Sequence, residues 1–315
     1  MAHLSNAPLA SIRDNPALGV LSLTAGIAVF SVQDVIIKLI SGAYPVHQAM
    51  TIRSLVALPL LLGLVAWNGG IETLASKRAP LLLVRGTIMF SAYTSYYLAL
   101  AALPMATCVA LYFVGPLFIT ILSALVLREH VDARRWAAVL IGFVGVLIIV
   151  RPGSDVFDLA AILPICSGLA YAVSQTLARK LGEDQSASVM AFYGNGVYIL
   201  GGLTLTLIFG DGGFATEQHK SLAFLVRGWA SPSLRDLLLM MACGVIAAAG
   251  LTLLTQAYRT ARASTVAPFE YTAILLSIVY GWVIWAELPD PVSWIGIIVV
   301  IGSGLYVLNQ ERSST

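Results

Sequence analysis

Most of the side chains in this sequence with the chemistry to bind or react lie inside apolar runs. The stretch RASTVAPFEYTAILLSIVYGWVIWAELPD, residues 262 to 290, sets Glu270 about two helical turns inside a segment otherwise fit to face hydrocarbon. Earlier segments of the same character hold Gln33 and Asp34, then His47, Gln48 and Arg53, then Tyr93, Tyr96 and Tyr97. Later ones hold Gln175, Tyr193, Asn195, Tyr198, Gln256 and Tyr271. A central Asp, Lys or Arg in a membrane helix costs about 2.5–3.5 kcal/mol on insertion scales, so such groups turn toward a cavity or a partner. Amides, phenols and isolated charges placed in this way recognise a ligand by hydrogen bonds and charge. Bond-breaking machinery is missing: there is no H-E-x-x-H, no G-x-S-x-G, no phosphate-cradling G-x-x-x-x-G-K and no pair of intramembrane acids at helical spacing. Neither an enzyme nor direct ATP coupling is expected. No cofactor is implied, and Cys108, Cys166 and Cys243 lack metal-ligand spacing and read as small packing residues.

The elements that must position these groups follow from composition. Of 315 residues, 58% are hydrophobic and 11% charged, against roughly 25% charged in soluble domains. A bilayer core of about 30 Å takes roughly 20 apolar residues per helix. Such segments recur at 17–40, 45–67, 79–102, 104–127, 134–151, 158–181, 186–209, 234–258, 263–287 and 291–309, which predicts an all-α integral membrane protein of ten transmembrane helices. Turn signals mark the boundaries: SGAYP, NGG, ALP, RPGSD and ELPDP. Residues 210–233 form the one substantial polar loop. With the N-terminus inside, Arg13, Lys77, Arg78, Arg128, Arg134, Arg135, Arg179, Lys180, Arg259, Arg262 and Arg312 fall on inner segments, whereas only Arg151, Lys220, Arg227 and Arg235 fall on outer ones. Cytoplasmic loops retain positive charge, so both termini are expected in the cytoplasm of a bacterial-type inner membrane. The net charge of +2 gives no reason to expect nucleic acid; the expected partners are a small-molecule substrate and membrane lipid.

The chain repeats. Offset by 158, Ala99 falls on Ala257, Thr107 on Thr265, Leu117 on Leu275, Glu129 on Glu287, Asp132 on Asp290 and Trp136 on Trp294. Offset by 142, Gly26 falls on Gly168, Gln33 on Gln175 and Lys38 on Lys180. Five helices per copy is an odd number, so the second copy enters the membrane from the opposite side. The organisation read from this is a short N-terminal segment, 1–16, a first five-helix repeat, 17–151, a second, inverted repeat, 158–309, and a tail, 310–315, acting as a monomer. Two inverted halves can open a shared midplane site to either face in turn, which points to a carrier. A channel would want pore-lining rings or a filter sequence.

Within that frame Gln33 and Gln175, at matching positions, can donate and accept hydrogen bonds and suit a zwitterion; each can equally bond across a helix interface. Tyr112 and Glu270 also coincide, with Phe113 against Tyr271, an aromatic beside a polar group as an amphipathic ligand needs. Tyr96 and Asn195 extend the lining. Glu270 lies roughly 12 Å into its helix; it contacts a substrate amine, couples a proton, or pairs with Arg85 or Arg53. His47 can titrate near neutrality or serve as a hydrogen-bonded wall residue. Asp34 and Lys38, four apart, suggest a local ion pair, and Arg85 can snorkel to the interface. Glu129 and Glu287 are read as inter-helix contacts at the membrane boundary. Small residues at Gly142, Gly145, Gly302 and Gly304 license close helix contact.

The segments ALYFVGPLFITILSALVLREHVDARRWAAVLIGFVGVLIIVRPG and STVAPFEYTAILLSIVYGWVIWAELPDPVSWIGIIVVIGSGLYVL resemble the paired signature halves of the drug/metabolite transporter superfamily, EamA type. Within it the chain is most similar to bacterial exporters of aromatic and other neutral amino acids, while other members are associated with riboflavin, S-adenosylmethionine or further metabolites. The resemblance implies ten helices, cytoplasmic ends and a central cavity lined by predicted helices 1–4 and 6–9, with 5 and 10 outside the pathway.

Overall fold

A computed structural model describes residues 15–126, 131–154, 157–181, 186–215, 219–260 and 267–313, and among these the regular structure is helical throughout. The first half holds α1 (Pro16–Ile40), α2 (Val46–Gly69), α3 (Ala79–Ala102), α4 (Met105–Tyr112), α5 (Gly115–Val126) and α6 (Ala133–Val150). The second holds α7 (Ile162–Leu181), α8 (Ala187–Phe209), α9 (Lys220–Val226), α10 (Leu234–Thr260), α11 (Thr272–Trp285) and α12 (Pro291–Ser313), with short 3-10 turns at Ile71–Leu74, Leu159–Ala161 and Ala267–Tyr271.

Local chemistry sets the ends. Asn15 caps α1, its side-chain oxygen accepting from Leu18 N–H at 3.1 Å, with Pro16 at the first helical position. Ser186 caps α8 the same way through Val189 N–H. Asp290 accepts from Val292 and Ser293 N–H ahead of α12. At the end of α2, Gly70 turns the chain at a φ of +87°, a region that favours glycine.

Two predicted helices are not continuous. The segment expected over 104–127 divides at Phe113–Val114 into α4 and α5, and the one expected over 263–287 enters through a 3-10 turn that becomes α11 at Thr272. The two breaks coincide in the 158-residue register. Proline supplies a local reason for the first, since Pro116 lacks the N–H that would bond the Tyr112 carbonyl across the break; Pro268 lies within the 3-10 turn that precedes the second. Gly168 of α7 passes directly against the first break; a Cβ there would meet the Tyr112 carbonyl oxygen at 2.9 Å and Gly115 N at 3.2 Å. Residues 210–233, expected as a loop, contain α9.

The packing has two-fold pseudo-symmetry. The α1–α10 contact is mirrored by α3–α7, α2–α10 by α3–α8, and that of α7 with α4 and α5 by α1–α11. The helices α2 and α8, α4 and α11, and α6 and α12 pair with their own equivalents. Opposite orientation of the halves shows in the bonds at one end of the bundle, here the far face, where α1 ends and α7 begins. There Lys38 meets Glu287 at 2.9 Å and the Leu103 carbonyl at 2.7 Å, and Arg151 meets Asp290 at 2.6 Å. The described elements thus form two inverted repeats. The six helices or helix pairs at Ala17–Ile40, Val46–Gly69, Met105–Val126, Leu159–Leu177, Ala187–Phe209 and Leu234–Leu254 have the length and apolarity to cross a membrane, and shorter apolar helices accompany them.

The α6–α12 pair packs through small residues inside one chain. A Cβ on Gly145 would meet the Gly296 carbonyl at 3.1 Å, and one on Gly142 would meet Leu117 and Ser303. Gly304 lies against the Tyr271 hydroxyl, whereas a Cβ on Gly302 would meet nothing within 4 Å among the described residues.

Candidate binding site between the two halves

The polar groups of the apolar helices converge around a run of rings. Phe90, Tyr198, Tyr93, Tyr97, Tyr96, Tyr112 and Tyr171 follow one another with successive ring centres 5.3 to 6.0 Å apart, joining α3, α8, α4 and α7. From Tyr112 a branch leads through Phe113 to Tyr271. Phe113 and Tyr271 are repeat equivalents at the two helix breaks, and their rings lie 5.0 Å apart, marking where the pseudo-axis passes.

Hydroxyls of this run meet the amides and acids singled out in the sequence. Gln33 donates to the Tyr97 hydroxyl at 2.7 Å, and Tyr96 donates to Asp34 at 2.9 Å. Gln175 donates to the Tyr171 hydroxyl at 2.7 Å. The two amides therefore each engage a tyrosine. Gln33 Oε1 and the Tyr271 hydroxyl are buried without a hydrogen-bond partner among the described residues. Tyr93, Tyr112, Tyr171, Gln175 and Glu270 are half-buried, and Glu270 is electrostatically coupled to Tyr112 and Tyr171. Asn195 donates to the Ser54 carbonyl at 2.9 Å, beside Arg53, the residue that falls on it in the 142-residue register.

Two arginines belong to this assembly: Arg53, one of the polar groups noted in the apolar segments, and Arg85, read in the sequence as a snorkelling group or a partner of Glu270. Arg53 lies over the Tyr198 ring, 5.4 Å from its centre, and Tyr93 and Tyr97 are further neighbours. Arg85 shares Tyr93 and Tyr198 with it and has Tyr171 as a further neighbour. Its Nε is buried, so the guanidinium does not snorkel freely; Arg53 Nε and Nη1 are buried also, and among the described residues none of the three has an acceptor. An unsatisfied buried donor costs about 1–3 kcal/mol, more for a charged group. Tyr171 is not among the residues singled out in the sequence, although its place one helical turn before Gln175 could have marked it.

Other groups are placed elsewhere. His47 has no exposed surface; its Nδ1 lies 3.0 Å from Thr206 Oγ1 and its Nε2 3.3 Å from the Arg227 carbonyl. It is a hydrogen-bonded wall residue of the far face. The local Asp34–Lys38 pair does not form, because Lys38 reaches Glu287, with the Trp285 ring 5.1 Å away, and Asp34 turns inward to Tyr96. Glu287 makes the expected boundary contact. Glu129, Arg128, Thr265 and Arg262 lie outside the described residues, as does the side chain of Gln256. A separate recess of about 580 Å³ opens on the near face, lined by Glu72, Lys77, Arg78 and Ser186 among others, away from the aromatic run.

The far face is closed by bonds between the halves. Gln48 holds both backbone groups of Ala230, donating to its carbonyl at 2.6 Å and accepting from its N–H at 3.1 Å. Arg227 donates to the Ser41 carbonyl at 2.8 Å, Tyr44 donates to Asp236 at 2.8 Å, and Ser221 donates to the Leu98 carbonyl at 2.7 Å.

Comparison with known proteins is consistent with this arrangement. The sequence matches the EamA-like transporter family twice, over residues 17–151 and 158–309. It is 29% identical to a riboflavin transporter of Vibrio cholerae over 97% of both chains. It is 25% identical to an S-adenosylmethionine uptake transporter of Rickettsia bellii over 81% of both, and 27% identical to a pseudopaline exporter of Pseudomonas aeruginosa over 90% of this chain and 93% of that one. A solved structure described as a crystal structure of protein shares the fold, with a TM-score of 0.63 over 93% of this chain and 98% of its own at 16% identity.

Proposed function

We propose, from the premise that the chain belongs to the EamA-like transporter family, that it is an alternating-access carrier of small metabolites joining a flat or apolar body to polar groups. Membership makes it a multi-pass membrane transporter of the drug/metabolite type built from two repeats. The observation that carries the finer reading is the aromatic run between the inverted halves, with Gln33, Asp34 and Gln175 bonded to its hydroxyls. Rings bind a flat apolar body while a few polar groups fix its orientation. Gln33, Tyr96, Tyr112, Gln175, Asn195, Glu270 and Tyr271 line the path, Glu270 taking a substrate amine. His47 serves the far-face closure.

The far-face bonds join residues of opposite halves, so parting the halves there exposes the path on that side; a matching closure at the near face completes the cycle. The relatives are named for riboflavin, S-adenosylmethionine and pseudopaline, which supports a class of larger metabolites over aromatic or neutral amino acids. The Lys and Arg distribution supports cytoplasmic termini in an inner membrane, with the far face outside. The exchange proposed is facilitated and needs no ion.

Counterflow in proteoliposomes tests the reading. Vesicles preloaded with unlabelled riboflavin or S-adenosylmethionine should accumulate the labelled compound transiently above equilibrium, as only a carrier allows. Flux of either compound that ignores the trans side would identify a channel and remove the proposal.

A further inference from the structure

We infer that the interior site takes a substrate whose ring system carries an anionic oxygen group, received by Arg53 of α2 and Arg85 of α3. The inference rests on the carrier reading above and specifies its substrate class. Arg53 Nε and Nη1 and Arg85 Nε are buried donors without an acceptor among the described residues. Among the described residues, no carboxylate lies within ion-pairing distance of either guanidinium. Asp34, the acid electrostatically coupled to Arg53, is held by the Tyr96 hydroxyl, and Asn195 beside Arg53 is engaged with the Ser54 carbonyl.

The surroundings hold Arg53 in place. Its guanidinium rests over the Tyr198 ring; that ring is fixed by its hydroxyl bond to the Met89 carbonyl at 3.1 Å and by Phe90 against its edge. A planar guanidinium held in this way offers a fork of parallel N–H donors, which carboxylate and phosphate oxygens match and a single neutral carbonyl does not. Tyr93 and Tyr198 neighbour both arginines and begin the aromatic run. The anionic group and the ring of one molecule therefore have adjoining places.

Matched ligands test this with the full-length chain in detergent. Indole-3-acetate against indole-3-acetamide varies only a carboxylate, and riboflavin 5′-phosphate against riboflavin varies only a phosphate. Equilibrium binding and thermal shift are measured for the wild type, Arg53→Gln, Arg53→Lys and Arg85→Gln. In the wild type the anionic member of at least one pair should bind roughly tenfold or more tighter than its neutral partner. The pair that shows the preference identifies carboxylate or phosphate as the group. Each Gln variant should bring that ratio to within about twofold, and Arg53→Lys, which keeps charge without the fork, should retain part of it. Equal binding within both pairs, no binding by either anionic member, or a preference that survives both Gln variants overturns the inference. The wild-type ratio stands by itself should a variant fail to fold. Riboflavin counterflow combined with indifference to charge would leave the carrier reading intact and remove only this refinement.

Discussion

Replacing Gln48 by Leu should unlatch the far face. The side chain is wholly buried and spends both ends of its amide on Ala230, at 2.6 and 3.1 Å. Ala230 belongs to the segment that crosses from α8 to α10, and Gln48 to the opposite half, so both bonds are lost when the halves part. A neutral hydrogen bond contributes about 0.5–1.5 kcal/mol net, so two contribute about 1–3 kcal/mol to the closed state. That is roughly a 5- to 150-fold change in the ratio of closed to open. Leucine keeps the approximate volume, so the loss is mainly polar. The assay uses a chain in which Cys108, Cys166 and Cys243 are replaced and Ser221, 4% exposed and bonded to the Leu98 carbonyl, becomes the single cysteine. Its alkylation rate in detergent follows the open population. Gln48→Leu should raise that rate by the same roughly 5- to 150-fold factor, while a cysteine at exposed Gly42 labels at an unchanged rate. A change at position 221 of less than about twofold would show that these bonds do not hold the face shut.

Further consequences follow from other contacts. Glu270→Gln should leave the protein folded by size exclusion and weaken uptake of an amine-bearing substrate by about 10-fold or more, the worth of one charge-assisted bond; undiminished uptake removes Glu270 from the site. Gly296→Ala would drive a Cβ to 2.8 Å from the Gly145 carbonyl and 2.5 Å from Ile149, so overpacking of about 1–3 kcal/mol should lower the melting temperature; unchanged melting would mean that α6 and α12 do not pack as described. The Ser293 hydroxyl above all, then the Ser293 N–H and Arg151, hold the Asp290 carboxyl at about 2 against partial desolvation. Because this value is depressed in the folded protein, the stabilisation is complete above about pH 4 and lost as pH falls toward 2. Asp290→Asn should be less stable than wild type above pH 4 and converge with it below; parallel pH profiles would count against the pairing.

How far the sequence spoke depended on whether a feature was local or relational. The spans, their boundaries and the duplication were legible because apolar length, turn residues and two registers are properties of the string. The breaks at Phe113 and Tyr271 were not, although Pro116 and Pro268 stood beside them, because an apolar run reads as one helix whether or not its backbone bonds continue. Asp34 and Lys38 illustrate the same limit: spacing of four suggested each other, and the fold instead sent Lys38 to Glu287, 249 residues away, and Asp34 to Tyr96. In the sequence Arg53 was one polar group among several and Arg85 a snorkelling charge, each an alternative partner for Glu270. What the fold adds is that their neighbours are tyrosines.

The account stands or falls on whether the far face must open for transport. Lys38→Cys with Glu287→Cys, in a chain whose native cysteines are replaced, puts one thiol on each half at positions whose longer native side chains meet at 2.9 Å, a gap suited to a short bifunctional thiol reagent rather than a direct disulfide. Bridged in proteoliposomes by a short bis-methanethiosulfonate, the protein should lose substrate exchange to the level of empty vesicles and regain it on reduction. Exchange continuing at the reduced rate constant with the crosslink fully formed would contradict alternating access between these halves.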